Sequence, residues 1–185
     1  VVLIGKSLGT KSLESGNDSL VVGRDGRNSS PDLFEWIAAG IKSTGCNVIN
    51  IGIVSTPILY FATHTLSCPN GVMITGSHNP GDYNGFKVVK DKKSISGKAV
   101  QEIIDKIFKE EFLKGQGSEK NIEIKDQYLE LIVNNIELKR PIRIAIDCGN
   151  GAASVIAKQV YEGLGCEVHS LFSEIDGDFP NHHPD

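Results

Sequence analysis

The chain has 185 residues, 39% of them apolar and 23% charged, which is enough for one or two domains with a buried core. A formal net charge of −4 excludes the basic field that holds nucleic acid, and no apolar run reaches the length of a membrane span. The opening VVLIGKSLGTK carries no signal-peptide pattern and no initiator methionine, so the expected context is the interior of a longer protein.

SLVVG at 19–23 is expected to form a strand. It runs into GRDGRNSSP, where Ser30 is expected as a helix N-cap, with Pro31 in the first helical position and Asp32 in the first turn. The following helix places Leu33, Trp36, Ile37, Gly40 and Ile41 on one face, and Gly45 is expected to end it. NVINIGIV at 47–54 reads as the next strand, and a second helix starts near Pro57 with Thr56 as its cap. Residues 71–75 and 85–90 read as strands with no room for a crossover helix between them, so an antiparallel pair is expected. Residues 97–113 predict an amphipathic helix striped by Val100, Ile103, Ile104, Ile107 and Phe108. KGQGSEKNIEIKD reads as a polar turn segment, and residues 126–136 as a helix with Tyr128, Leu131, Ile132 and Ile136 inward.

This alternation predicts an α/β fold, a mixed β-sheet flanked by helices over residues 1–138. From residue 139 to 185 the pattern is strand, glycine turn, helix, strand: a partial second domain of one βαβ unit. Such a unit is too small to bury its own core and is expected to leave an edge or face open to self-association. Cys46, Cys68, Cys148 and Cys166 show no C-x-x-C pairing and no histidine at metal-ligand spacing; they read as buried thiols in a reducing cytoplasm.

The stretch MITGSHNPGDYNGFKVVK sets a loop of turn residues and reactive side chains between two strands, where rigid flanks can hold functional groups. Asn84-Gly85 suits a position of positive φ. Ser77 is a candidate nucleophile, although TGSHN is not a G-x-S-x-G elbow and His78, its chain neighbour, is poorly placed as a triad base. Lys87 faces away from Phe86 and Val88 in an alternating strand, either as a solvent-facing residue or as a placed acid or base. Arg24, Asp25 and Arg27 precede a helix N-terminus; the arginines either grip a phosphate there or close a solvated turn with a local ion pair. DCGNGAAS has the Gly149 and Gly151 of a dinucleotide fingerprint but Ser154 at the third position, and a tight turn into a helix is the simpler reading. EIDGDFPNHHPD collects Glu174, Asp176, Asp178, His182, His183 and Asp185, either divalent-metal donors without a known spacing or a polar turn.

Together these stretches resemble one family. TGSHNPGDYNGFK is similar to the active-site loop of the α-D-phosphohexomutases, the phosphomannomutase/phosphoglucomutase enzymes. GRDGR, Ser55-Thr56-Pro57, DCGNG and DGDFPNHHPD resemble further family stretches in family order, so the likeness covers nearly the whole chain. The resemblance implies that Ser77 carries a phosphoryl group, gives it to a hexose phosphate and regains a phosphate from the resulting bisphosphate. It implies that His78 and Lys87 lie beside the transferring phosphate, and that Arg24, Arg27 and Asn79 bind phosphate or shape the loop. It also implies Mg2+, ligated by Ser77 through its phosphate, a hexose 1,6-bisphosphate activator and a cytoplasmic setting.

The chain departs from the family pattern. It matches the first of four domains and the start of the second, and lacks the Asp-x-Asp-x-Asp-Arg magnesium loop, the sugar-selecting third domain and the phosphate-binding fourth. An arginine expected just before Val1 is missing too. The 185 residues alone are therefore expected to be inactive and do not separate glucose, mannose and glucosamine phosphates. The rival readings are a phosphoglucosamine mutase, a nucleotide-binding module at Gly149 and Gly151, and a non-catalytic sugar-phosphate-binding module.

Overall fold

The computed structural model describes residues 1–183. Its main sheet contains β1 (Ser19–Arg24), β2 (Asn47–Ile53), β3 (Gly71–Ile74), β4 (Phe86–Lys90), β5 (Lys93–Ser94) and β6 (Glu119–Asn121). The strand order is β5-β4-β3-β1-β2-β6. β1, β2, β3 and β6 run parallel, and β4 joins β3 antiparallel, as the short gap between them requires. β1 is buried on both faces, the pattern of a central parallel strand: Leu20 and Val22 enter one core and Val21 the other.

Helices α1 (Val2–Glu14), α2 (Ser30–Lys42) and α4 (Lys98–Phe108) cover one face of the sheet. α3 (Thr56–Thr65) and α5 (Lys125–Asn135) cover the other. Because α2 and α3 lie on opposite faces, the strand order reverses at β1 and β3. In open α/β sheets that reversal opens a crevice at the carboxyl ends of the strands. A second sheet pairs β7 (Arg143–Asp147) in parallel with β8 (Glu167–Leu171), joined by a 3-10 turn (Ala152–Val155) and α6 (Ala157–Gly163). α5 bridges the two units, with Tyr128 set edge-on to Phe61 of α3 at 5.4 Å and with contacts to α6.

Several expectations shift. α1 has no counterpart in the pattern read from the sequence, since Gly5 and Gly9 weaken a helix signal. They are there for packing: Gly5 and Gly40 let α1 and α2 cross with backbones in contact, and a Cβ at Gly40 would strike the carbonyl of Val2. The caps fall one residue earlier than expected, at Ser29 and Ser55, and neither makes a side-chain cap bond. α2 ends at Lys42 with Ser43 as its C-cap, and Gly45 takes its positive φ of 94° beyond it. Its core face is Phe34, Ile37, Ala38 and Ile41, with Trp36 50% exposed. On α4 only Ile103 is buried; Val100, Ile104 and Phe108 are exposed. Leu131 on α5 and Ile136 at its C-cap also face outward. The polar segment after α4 contributes the edge strand β6. No helix among the described residues is long and apolar enough to cross a membrane.

Candidate active site

The loop that carries Ser77 leaves the carboxyl end of β3, and the turn that carries Arg27 leaves the adjacent end of β1, where Arg24 pairs with Ile74. Two buried charges join them. Asp25 accepts from the backbone N–H of Arg27 at 3.1 Å, from Ser30 Oγ at 2.6 Å and from the backbone N–H of Gly76 at 3.2 Å. Arg27 donates from Nε to Asp25 at 3.1 Å. Its remaining N–H groups reach the carbonyls of Ser77 at 2.9 Å, Asn79 at 2.7 Å and Tyr83 at 3.1 Å, and that of Pro80. All five guanidinium donors are thus engaged, so Arg27 shapes the loop and has none left for a phosphate. The bond from Ser30 to Asp25 also explains why Ser30 does not cap α2.

The loop is closed at its base by Asn84, whose side chain donates to Ser29 Oγ and Ser30 Oγ, both at 3.0 Å, and accepts from Gly85 N–H at 2.8 Å. Neither Asn84 nor Gly85 adopts positive φ. Ser77 does, at 56°, a sparsely populated conformation for a residue with a Cβ and one that concentrates at functional sites. The backbone N–H of Ser77 is held by Thr75 Oγ1 at 2.9 Å, and its Oγ accepts from Lys87 Nζ at 3.4 Å. Lys87 sits opposite Met73 on β4, on the face away from Phe86 and Val88, as the alternation predicts. His78 is exposed next to Ser77. Asn79 is exposed and folds back on the loop, donating from Nδ2 and from its backbone N–H to Gly76 O at 2.8 and 3.1 Å. Arg24 is half-buried; desolvation lowers its pKa, opposed by Asp25.

Across from Ser77 stands the carboxyl end of β7. The two walls enclose a cleft of about 270 Å3 lined by Asp25, Arg27, Thr75 and Ser77 on one side and by Asp147, Cys148, Gly149, Gly151, Phe179 and His182 on the other. The glycine turn presents no pyrophosphate cradle. Gly149 N–H is held by Asp147 Oδ1 at 2.8 Å, Asn150 N–H by Phe172 O at 2.8 Å and Gly151 N–H by Cys148 O at 2.9 Å. A dinucleotide fingerprint needs such amides free.

The acidic and histidine residues near the end of the chain also have local work. Asp176 accepts from Asp178 N–H at 3.0 Å, and Asp178 accepts from Asn28 Nδ2 at 2.6 Å. His182 Nε2 meets Asp147 Oδ1 at 3.0 Å and its Nδ1 meets His183 O at 2.7 Å. That carboxylate and that carbonyl raise the His182 pKa, and the His182 bond lowers that of Asp147. Among the described residues no three His, Cys, Asp or Glu side chains converge on a common point. Asp185 lies outside the described residues. Burial pushes the Cys46 thiol up to about 12 and raises Cys68 and Cys148, so none of the three is thiolate-like at neutral pH.

Sequence reasoning weighed Asp25 only as a local ion-pair partner. The signal that it does more is a carboxylate between two arginines at a strand end, five residues before a serine that it also binds.

Comparison with known proteins adds a lineage. Residues 1–114 match the family model described as phosphoglucomutase/phosphomannomutase alpha/beta/alpha domain I, and residues 126–185 match domain II. A phosphomannomutase/phosphoglucomutase of Pseudomonas putida is 46% identical over 182 residues, 98% of this chain and 39% of that protein. A phosphoglucomutase of Neisseria meningitidis is 48% identical over 185 residues, 99% of this chain and 40% of its own length. The crystal structure of a phosphoglucomutase/phosphomannomutase family protein from Burkholderia thailandensis superimposes with a TM-score of 0.94 at 41% identity, covering all of this chain and 42% of that one. The chain therefore spans about two fifths of the length of these relatives.

Proposed function

Because the chain belongs to the phosphoglucomutase/phosphomannomutase family, we propose that it supplies domain 1 (residues 1–138) and the start of domain 2 (from residue 139) of a cytoplasmic enzyme that interconverts hexose 1-phosphate and hexose 6-phosphate through a phosphoserine at Ser77. The observation that carries this reading is the exposed, left-handed Ser77 at the mouth of the cleft, with Lys87 Nζ 3.4 Å from its Oγ.

In this reading phosphoserine 77 passes its phosphoryl group to a free hydroxyl of the bound hexose phosphate. The Ser77 Oγ–P bond breaks as the new sugar O–P bond forms, and the hydroxyl proton leaves to a base, for which His78 is the nearby candidate. The sugar bisphosphate then turns over and returns its other phosphate to Ser77. Phosphoryl transfer is mainly positioning and charge stabilisation. Lys87 supplies a cation at the bridging oxygen, while Arg27, Asp25 and Asn79 hold the loop. Arg24, with no side-chain hydrogen bond among the described residues, remains a phosphate-binding candidate.

Mg2+ would fit this site only in part. Among the described residues the carboxylates do not converge, so the ion would take one oxygen from a phosphate on Ser77 and its other donors from elsewhere in the longer protein. When bound it would neutralise charge on the transferring group. The same incompleteness makes turnover an expectation for the longer protein and not for these residues alone.

Phosphopeptide mapping of the full-length enzyme after incubation with a hexose 1,6-bisphosphate tests the assignment. The phosphate should map to Ser77. Label on another serine with Ser77 bare would overturn it.

A further inference from the structure

The cleft has two walls from two units, and one segment ties them together. We propose that residues 174–182 form a positioning strap that seats the second unit on the Arg27 clamp and so sets the conformation of the Ser77 loop. The proposal rests on the reading of Ser77 as the reacting residue, but its contacts stand independently.

Both ends of the strap are fastened to Asn150, which is buried and left-handed, with φ 57°. All its polar groups are used. Its N–H donates to Phe172 O at 2.8 Å, its carbonyl accepts from Asp176 N–H at 3.1 Å, and its Nδ2 donates to Glu174 O at 2.9 Å. Its Oδ1 accepts from Asn181 Nδ2 at 2.7 Å. Three of these four partners lie in the strap. Fully satisfied buried networks specify one arrangement of the chain.

The middle of the strap lies on the turn after β1. Gly177 is buried against Asn28, where a Cβ would come within 2.5 Å of the Asn28 backbone nitrogen. Gly26 in turn lies so close to Ile175 that a Cβ would overlap its side chain. Only glycines allow this approach, which gives a physical reason for one in GRDGR and one in DGD. Asn28 Nδ2 to Asp178 Oδ1, at 2.6 Å, closes the same junction.

Phe179 transmits the contact to the loop. Its ring centroid is 5.2 Å from Arg27 Cζ, and its ring edge lies beside Gly81 of the Ser77 loop. The donors of Arg27 radiate in the guanidinium plane to the loop carbonyls, so its face is the part left for an aromatic ring. Phe179 holds this place at φ 51°, a strained value for a bulky residue. The strap thus touches the Ser77 loop through Arg27, the side chain that binds four of its carbonyls.

Amide hydrogen exchange of this chain tests the strap without any catalytic readout. Phe179→Leu should speed exchange in residues 76–84 by about tenfold or more, with the amides of β1, β3 and β7 unchanged. Asp178→Ala, a milder surface change, should speed the same segment by less. Unchanged exchange at 76–84 in both variants, or acceleration spread equally over both sheets, would overturn the proposal. In the full-length enzyme Phe179→Leu should lower kcat for a hexose phosphate with little change in KM, and Phe179→Tyr should restore it. Equal losses in the Leu and Tyr variants would also count against the strap. A wild-type enzyme without mutase activity, with the exchange result intact, would refute the functional reading and leave the strap standing.

Discussion

At the scale of single residues, the Asp25–Arg27 pair ties the Ser77 loop to the turn after β1. The two side chains are 9% and 1% exposed and meet at 3.1 Å. Such a pair adds little compared with apolar groups of equal volume, but removing one member strands the other charge in the interior. Arg27→Met should therefore lower the unfolding free energy by about 3–5 kcal/mol in urea denaturation. A loss below about 1 kcal/mol would mean that water reaches Asp25 in the folded state, and that the clamp is weaker than its geometry implies. The loop position of Ser77 and the face taken by Lys87 are legible in the sequence because turn chemistry and strand alternation are local properties. The clamp was legible only as a choice between phosphate binding and ion pairing. The carbonyls that consume the donors of Arg27 lie 50–56 residues away in the chain, so local spacing could not choose. The same holds for the strain at Ser77: Asn84-Gly85 looked better suited to positive φ, but Asn84 is held instead by the serines at the start of α2.

At the scale of elements, β1 to β4 and the antiparallel pairing of β3 with β4 follow from alternation and gap length, whereas the sheet order, β6 and the helix faces do not. A helical stripe says that one side is apolar, not which neighbour covers it. α4 rests on α1 along one edge, with Ser7 Oγ donating to Ile103 O at 3.1 Å and Lys11 bridging Glu102 at 2.9 Å. Val100, Ile104 and Phe108 of its stripe are left in solvent. Helical spacing puts Trp36 on the inner face of α2, yet it is 50% exposed and Phe34 enters the core instead. The junction between β7 and the end of the strap makes a further prediction. Both ring nitrogens of His182 face acceptors, so the contact calls for the imidazolium form. Its pKa is raised above the ordinary 6.5, chiefly by the Asp147 hydrogen bond, so its contribution is complete below 6.5 and is lost as pH rises through the higher folded value. The Asp147 pKa is lowered below 3.8, chiefly by the same bond, so its contribution is complete above 3.8 and is lost as pH falls through the lower folded value. The junction is therefore firmest between those limits. An NMR titration of the His182 ring should give a midpoint above 6.5 that Asp147→Asn moves down. A midpoint at or below 6.5, unmoved by Asp147→Asn, would show that the bond is not held in solution.

At the scale of the whole molecule, the two units differ in how well they are covered. The main sheet has helices on both faces and a core with side chains such as Val21, Val22 and Ile37 wholly buried. The β7–β8 sheet alternates only between exposed and half-buried positions, and Ile142, Leu171 and Phe172 are 40%, 48% and 39% exposed. Two serine hydroxyls in this unit, Ser154 Oγ and Ser170 Oγ, are shielded from solvent without a hydrogen-bond partner among the described residues. A two-stranded sheet is marginal in water, and its open edges carry unpaired N–H and C=O groups that another chain can extend. Apolar exposure at the same place adds a driving force of roughly 25 cal/mol for each Å2 of apolar surface that association covers. The 185-residue chain should therefore associate with itself as its concentration rises, through the second unit and not through the Ser77 cleft. Sedimentation velocity over a concentration series checks this, and replacing Leu171 and Phe172 with serine, at positions already exposed, should shift the distribution back to monomer. A wild-type chain that stays monomeric at every concentration would mean that the strap, α5 and α6 already cover the β7–β8 sheet well enough to keep it closed to a second copy.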